Sequence, residues 1–141
     1  MFSLTHHNNT SRLIADTGVS DHYIYSKTPN YKKSDIRHPI RIALPNGSFL
    51  KSTQITHLPL PTLKKEAVKA HILPELKNTS LLSIGRLCNE GYIASFDKRK
   101  MRIFDSKEIL RVMDRFPSVL EGERNDKNGL WEVKLYTTKE N

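Results

Sequence analysis

The chain is predicted to be an all-β domain with one short helix. Three observations lead there: short apolar runs that end in turn residues, an Asn-Gly pair between two extended stretches, and a lone helix-compatible segment closed by a glycine. The first run, Leu13-Ile14-Ala15, reads as a brief buried strand that stops at Asp16-Thr17-Gly18. His22 to Tyr25 forms a second short strand, and the polar stretch from Ser26 to Asp35, with Pro29 inside it, has no periodicity. From Arg37 to Leu44 the residues Ile40, Ile42 and Leu44 share a face. Pro45-Asn46-Gly47-Ser48 then interrupts, and Phe49 to Leu60 resumes the extended pattern. Asn and Gly both tolerate the positive φ of a tight hairpin turn, so these two arms read as a hairpin. Pro59 and Pro61 end its second arm near Leu60 or hold that arm at a sheet edge.

Lys64 to Leu73 carries two conflicting signals. Lys-Lys-Glu-Ala-Val-Lys-Ala has helix propensity, yet Ala67, Lys69 and His71 alternate with Val68, Ala70 and Ile72. Pro61 and Pro74 leave room for only a short element, so a strand is expected. Pro74 to Ser80 reads as a loop. Ser80-Leu81-Leu82-Ser83-Ile84-Gly85-Arg86-Leu87 begins apolar and becomes helix-compatible through Glu90, with Gly91 as the stop. Tyr92 to Phe96, Asp97-Lys98-Arg99-Lys100 and Met101 to Phe104 read as strand, turn, strand. Ile109 to Met113 is a further strand or a helical turn, residues 114–128 form a charged loop, and Leu130 to Leu135 alternates as a final strand. No internal repeat is present.

A length of 141 residues suits one compact domain, placed at 12–135 between a flexible segment 1–11 and a tail 136–141. The formal charge is +8, and its excess lies mainly in residues 1–70, with 10 Lys/Arg against 4 Asp/Glu. Tyr31-Lys32-Lys33 and Lys64-Lys65 are too short and separate to make a nucleic-acid stripe, so specific nucleic-acid binding is not expected. Cys88 is the only cysteine, which excludes an intrachain disulfide and a cysteine-based zinc knuckle. Without a basic partner in sequence it reads as a small buried apolar group and not a nucleophile. His6 and His7 come without CxxC or HExxH, so no metal and no cofactor is expected. No apolar run approaches the roughly 18 residues that span a bilayer, and Met1 to Leu4 is too short for a signal-peptide core. The expectation is a soluble, intracellular, cytoplasmic protein with no membrane partner.

Asp16-Thr17-Gly18 by itself is a common turn. After a buried strand it gains meaning, because the carboxylate can be held rigidly while Gly18 admits a close backbone approach. Read in order, Leu13-Ile14-Ala15-Asp16-Thr17-Gly18-Val19-Ser20-Asp21-His22, then Leu44-Pro45-Asn46-Gly47-Ser48, then Ala70 to Leu87 and finally Gly129-Leu130-Trp131 resemble the successive blocks of copia-type (Ty1/copia) retrotransposon aspartic proteases. The likeness covers about residues 12–135. It implies a retropepsin-like, pepsin-type half-barrel in which Asp16 is the catalytic aspartate and Thr17 and Gly18 its supporting loop. Pro45, Asn46, Gly47, Ser48 and Phe49 would form the flap over substrate, and Ile84, Gly85 and Arg86 a structural segment packed behind the aspartate loop.

What the resemblance implies chemically is a homodimer. Peptide hydrolysis of this kind needs two facing carboxylates that share a proton, and no second D-[ST]-G exists, since Asp105-Ser106-Lys107 lacks the glycine. Each chain would contribute one Asp16 across a two-fold axis and cut an extended peptide or polyprotein. Two departures from the pattern stand out: Val19 replaces the usual small alanine, and Asp21 adds a carboxylate nearby. An inactive transposon-derived remnant, serving as a dimerisation or protein-binding module, is the alternative, and a small basic nucleic-acid-associated protein a third reading. His22 is assigned a structural hydrogen-bonding role, Trp131 anchors the last strand in the core or against a partner, and Asp97, Asp105 and Asp114 are solvated turn residues.

Overall fold

The computed structural model describes residues 12–30, 32–43, 47–76 and 79–137. The chain divides into two compact units, residues 1–86 and 87–141. It is mostly β, with mixed strand pairing and two small α-helices.

The first unit is a six-stranded sheet of β1 (Leu13–Asp16), β2 (His22–Ile24), β3 (Ser34–Ala43), β4 (Phe49–His57), β5 (Lys69–Ile72) and β6 (Ser80–Ser83). Its spatial order is β1-β6-β2-β5-β4-β3. The pairs β1/β6 and β2/β5 are parallel, while β2/β6, β3/β4 and β4/β5 are antiparallel. Among the described residues the two edge strands do not meet, so the ladder stays open. The expected hairpin is β3–β4, with Gly47 at φ 87°, a conformation that an L side chain resists. Its turn residues 44–46 lie outside the described residues. The first arm starts earlier than its alternation suggested, at Ser34, and pairs across an irregularity between Asp35 and Ile40. The second ends at His57, before the two prolines.

Lys64 to Leu73 resolves its conflict by division. Residues Lys65–Val68 form a 3-10 turn that buries Ala67 and Val68, and only Lys69–Ile72 continue as strand. The propensity and the alternation were both real, each over half the segment. Ile24, Leu58, Ala70, Ile72 and Leu73 are sealed from solvent. Each large aliphatic side chain so buried contributes about 1.5–3 kcal/mol.

The first unit closes on α1 (Ile84–Asn89), in which the second begins. The second unit holds the antiparallel pairs β7 (Tyr92–Phe96) with β8 (Met101–Asp105) and β9 (Glu123–Arg124) with β10 (Trp131–Glu132), and α2 (Ser106–Met113). Two expectations change here. Among the described residues there are two α-helices and not one, because Ile109 to Met113 is the end of α2, whose start is capped by the Asp105 carboxylate accepting the Lys107 N–H at 3.1 Å. The final alternating stretch pairs only over Trp131 and Glu132. Trp131 is not a core anchor in this unit: it is 41% exposed, with the Arg124 guanidinium stacked 4.8 Å from its ring centroid. Asp97 does sit in an exposed turn, where its carboxylate accepts the N–H groups of Arg99 and Lys100 at 2.7 and 2.8 Å.

Candidate functional site

The loop after β1 is shaped by one local hydrogen bond. Asp16 Oδ1 accepts the Gly18 N–H at 2.7 Å, which turns the chain sharply and holds the carboxylate at the end of the strand. A Cβ on residue 18 would lie 3.2 Å from that same oxygen, a tight contact that would move the carboxylate by a few tenths of an ångström. Asp16 is half-buried, and Thr17 and Gly18 are exposed. β1 is an edge strand with Ile14 55% exposed on it.

Behind the loop the sheet register sets Asp16 beside Ser83 across the parallel β1/β6 pair. Ser83 is fully buried, and its hydroxyl and N–H reach three different elements. Its Oγ donates to the Val19 carbonyl at 2.6 Å and accepts the Arg86 N–H at 3.0 Å, capping the first turn of α1. Its backbone N–H donates to His22 Nδ1 at 2.9 Å. Since Nδ1 accepts, the ring proton is on Nε2, which donates to the Ala67 carbonyl at 2.6 Å. His22 thus joins β2, β6 and the 3-10 turn through a single neutral tautomer. Burial pushes its pKa down, and this outweighs the Ala67 hydrogen bond and the Asp21 charge acting the other way.

Asp21, partly exposed, belongs to an ionic cluster. Its carboxylate lies 3.5 Å from Arg86 Nη1 and 3.7 Å from His71 Nε2. Burial acts to raise its pKa, but the hydrogen-bonding and charge of His71, with Arg86 behind it, bring it below the ordinary carboxylate value. Arg86 Nη2 also donates to the Glu66 carbonyl at 2.9 Å, tying α1 to the 3-10 turn. The extra carboxylate noted beside the motif is therefore engaged structurally by the Arg86 guanidinium and the His71 ring. Ile84 and Gly85 are buried in the start of α1.

The structure brings Asp16, Gly18, Val19, Ser83, His22, Asp21 and Arg86 into one connected region. The hairpin is elsewhere in the sheet order, with β6, β2 and β5 between β1 and β4. Of its assigned residues, Pro45 and Asn46 lie outside the described residues, Gly47 and Ser48 are exposed, and Phe49 opens β4 with the Arg41 guanidinium 4.4 Å from its ring centroid. Sequence reasoning overlooked Ser83 as a hub and Asp21 as the partner of Arg86. The signal for the first was available, a serine three residues before Arg86 at a helix start. The second has no local signal.

Among the described residues, no group of three or more His, Cys, Asp or Glu side chains could hold a metal ion. No helix there is long and apolar enough to cross a membrane. Cys88 is half-buried, and burial raises its thiol pKa, which disfavours the thiolate. The chain matches no protein-family model, no curated protein and no solved structure.

Proposed function

We propose that the chain is a retropepsin-like aspartic endopeptidase of the copia type, acting as a homodimer on an extended peptide or polyprotein. The observation that carries this reading is the Asp16 loop: a carboxylate at the end of an edge strand, pinned by the Gly18 N–H and braced from behind by Ser83. One such loop supplies half of a water-activating pair. In the dimer the two Asp16 carboxylates share a proton, one taking a proton from water while the other protonates the carbonyl oxygen of the peptide. Their titration then belongs to the pair. The β3–β4 hairpin serves as the flap, and substrate is held extended by backbone hydrogen bonds.

The test is cleavage of a broad peptide library at mildly acidic pH by wild type and Asp16→Asn, with oligomeric state recorded on the same samples. Cleavage by the dimeric wild type and none by an equally folded, dimeric variant supports the protease. Silence from both, with the dimer intact, supports the inactive remnant, the reading favoured by Val19 beside the loop.

A further inference from the structure

A second candidate site lies on the first unit, built from the end of β4, the segment after it and the 3-10 turn. It is a half-open cleft of about 380 Å³, within the size range of small-molecule sites. Its walls are Leu58, Leu60, Pro61, Leu63 and Val68. The polar groups lining it are Lys32, Lys65 and His57, and no carboxylate lines it. Leu58 and Val68 are buried, whereas both lysines are exposed, so the cations stand at the rim of an apolar floor.

The wall is preformed. Leu58 N–H donates to the Val68 carbonyl at 2.8 Å, Leu60 N–H to Leu58 at 2.8 Å, and Leu63 N–H to Leu60 at 3.1 Å, and Pro59 and Pro61 have no N–H to offer. These bonds hold Leu60 and Leu63 in place beside the cleft and occupy the N–H groups of Leu58, Leu60 and Leu63. An extended peptide would find few free N–H donors there for its own C=O groups, whose burial without partners is costly. A ligand with an apolar body and charge at one end only suits the lining better.

We propose that this cleft binds an aliphatic carboxylate, a small molecule whose hydrocarbon chain lies against Leu58, Leu60, Leu63 and Val68 while its carboxylate meets Lys32 and Lys65. A cationic amphiphile is repelled at the rim, and a neutral one leaves the lysines unanswered. The site is independent of Asp16 and of the protease reading.

The experiment is titration of the full chain with octanoate, 1-octanol and octylammonium, followed by calorimetry and by amide NMR shifts. Octanoate is expected to bind saturably and to move the amides of Leu58, Leu63 and Val68, with the same affinity in Asp16→Asn. Lys32→Glu/Lys65→Glu is expected to weaken it by about tenfold or more, the worth of a charge-assisted contact. If that variant does not fold, Lys32→Gln/Lys65→Gln carries the same expectation, since both side chains are exposed. Equal binding of octanol or octylammonium, shifts centred elsewhere, an unaffected lysine variant, or no saturable binding overturns the proposal. So does an acetylated Leu-Glu peptide that takes the site while octanoate does not.

Discussion

The Ser83 hydroxyl donates to the Val19 carbonyl at 2.6 Å while accepting the Arg86 N–H at 3.0 Å. One buried side chain thereby fixes both the loop that carries Asp16 and the first turn of α1. Because a hydroxyl has one proton to give, the geometry also assigns its direction, toward the carbonyl and away from the helix.

Ser83→Ala removes both contacts and leaves the Val19 carbonyl and the first turn of α1 without that partner. The expected loss is about 1–3 kcal/mol of unfolding free energy, read by urea denaturation at pH 7. The exposed Thr53→Ala on β4 serves as the comparison and should change stability by no more than about 0.5 kcal/mol. A Ser83→Ala protein as stable as the comparison would refute the bracing role.

His22 gives the fold an acid-labile joint. Its folded pKa is depressed by burial, so the unfolded chain binds the proton more readily. The contribution is whole above the unfolded value, about 6.5, and is lost as pH falls through the lower folded value. Melting temperature should therefore decline on acidification from pH 7, and His22→Gln, although less stable, should show a flatter profile over that window. Parallel profiles for the two proteins would remove His22 as the cause.

Asp21 works in a lower window. Its carboxyl is held below the ordinary value by His71 and Arg86 against the opposing effect of burial, so its contribution is present above the unfolded value and lost as pH falls through the folded one. Asp21→Asn is expected to cost up to about 1 kcal/mol at pH 7, since the pair is partly exposed and screened. Arg86→Ala should cost more, because it also loses the bond to the Glu66 carbonyl. Denaturation curves in low and high salt check both: the Asp21→Asn effect should shrink with salt, and an increase would contradict the ion pair.

Gly18→Ala separates loop geometry from folding. The new Cβ would stand 3.2 Å from Asp16 Oδ1, so the carboxylate must shift while the sheet behind it stays paired. Under the proposed activity, cleavage should fall sharply with a stability change within about 1 kcal/mol. Full cleavage by a folded Gly18→Ala dimer would show that the carboxylate position seen here is not the working one.

Much of the fold was readable from neighbours in sequence. Gly47 marks the hairpin because its φ of 87° is a property of that residue, and Leu13 to Asp16 ends as a strand where turn chemistry begins. α2 was harder. Asp105 was read as a solvated turn residue and as a failed second catalytic motif, yet it caps a helix with Glu108 in the first turn, a signal of the same kind as the others. Lys65 to Ile72 defied a single assignment because tertiary burial of Ala67 and Val68 stabilises a tight turn that alternation does not encode.

The sequence by itself determined the local events: a mostly-β chain, a β3–β4 hairpin, a carboxylate at a strand end, and a serine placed to start α1. Tertiary structure alone decided which strands lie side by side. The parallel pairing of β1 with β6 sets Asp16 beside Ser83, and the Nδ1 of His22 on β2 accepts the Ser83 N–H from 61 residues away in sequence. Periodicity tells a strand which face to bury and is silent on its neighbour. That choice is made where packing, closure of long loops and the satisfaction of buried donors such as the Ser83 N–H agree on one arrangement.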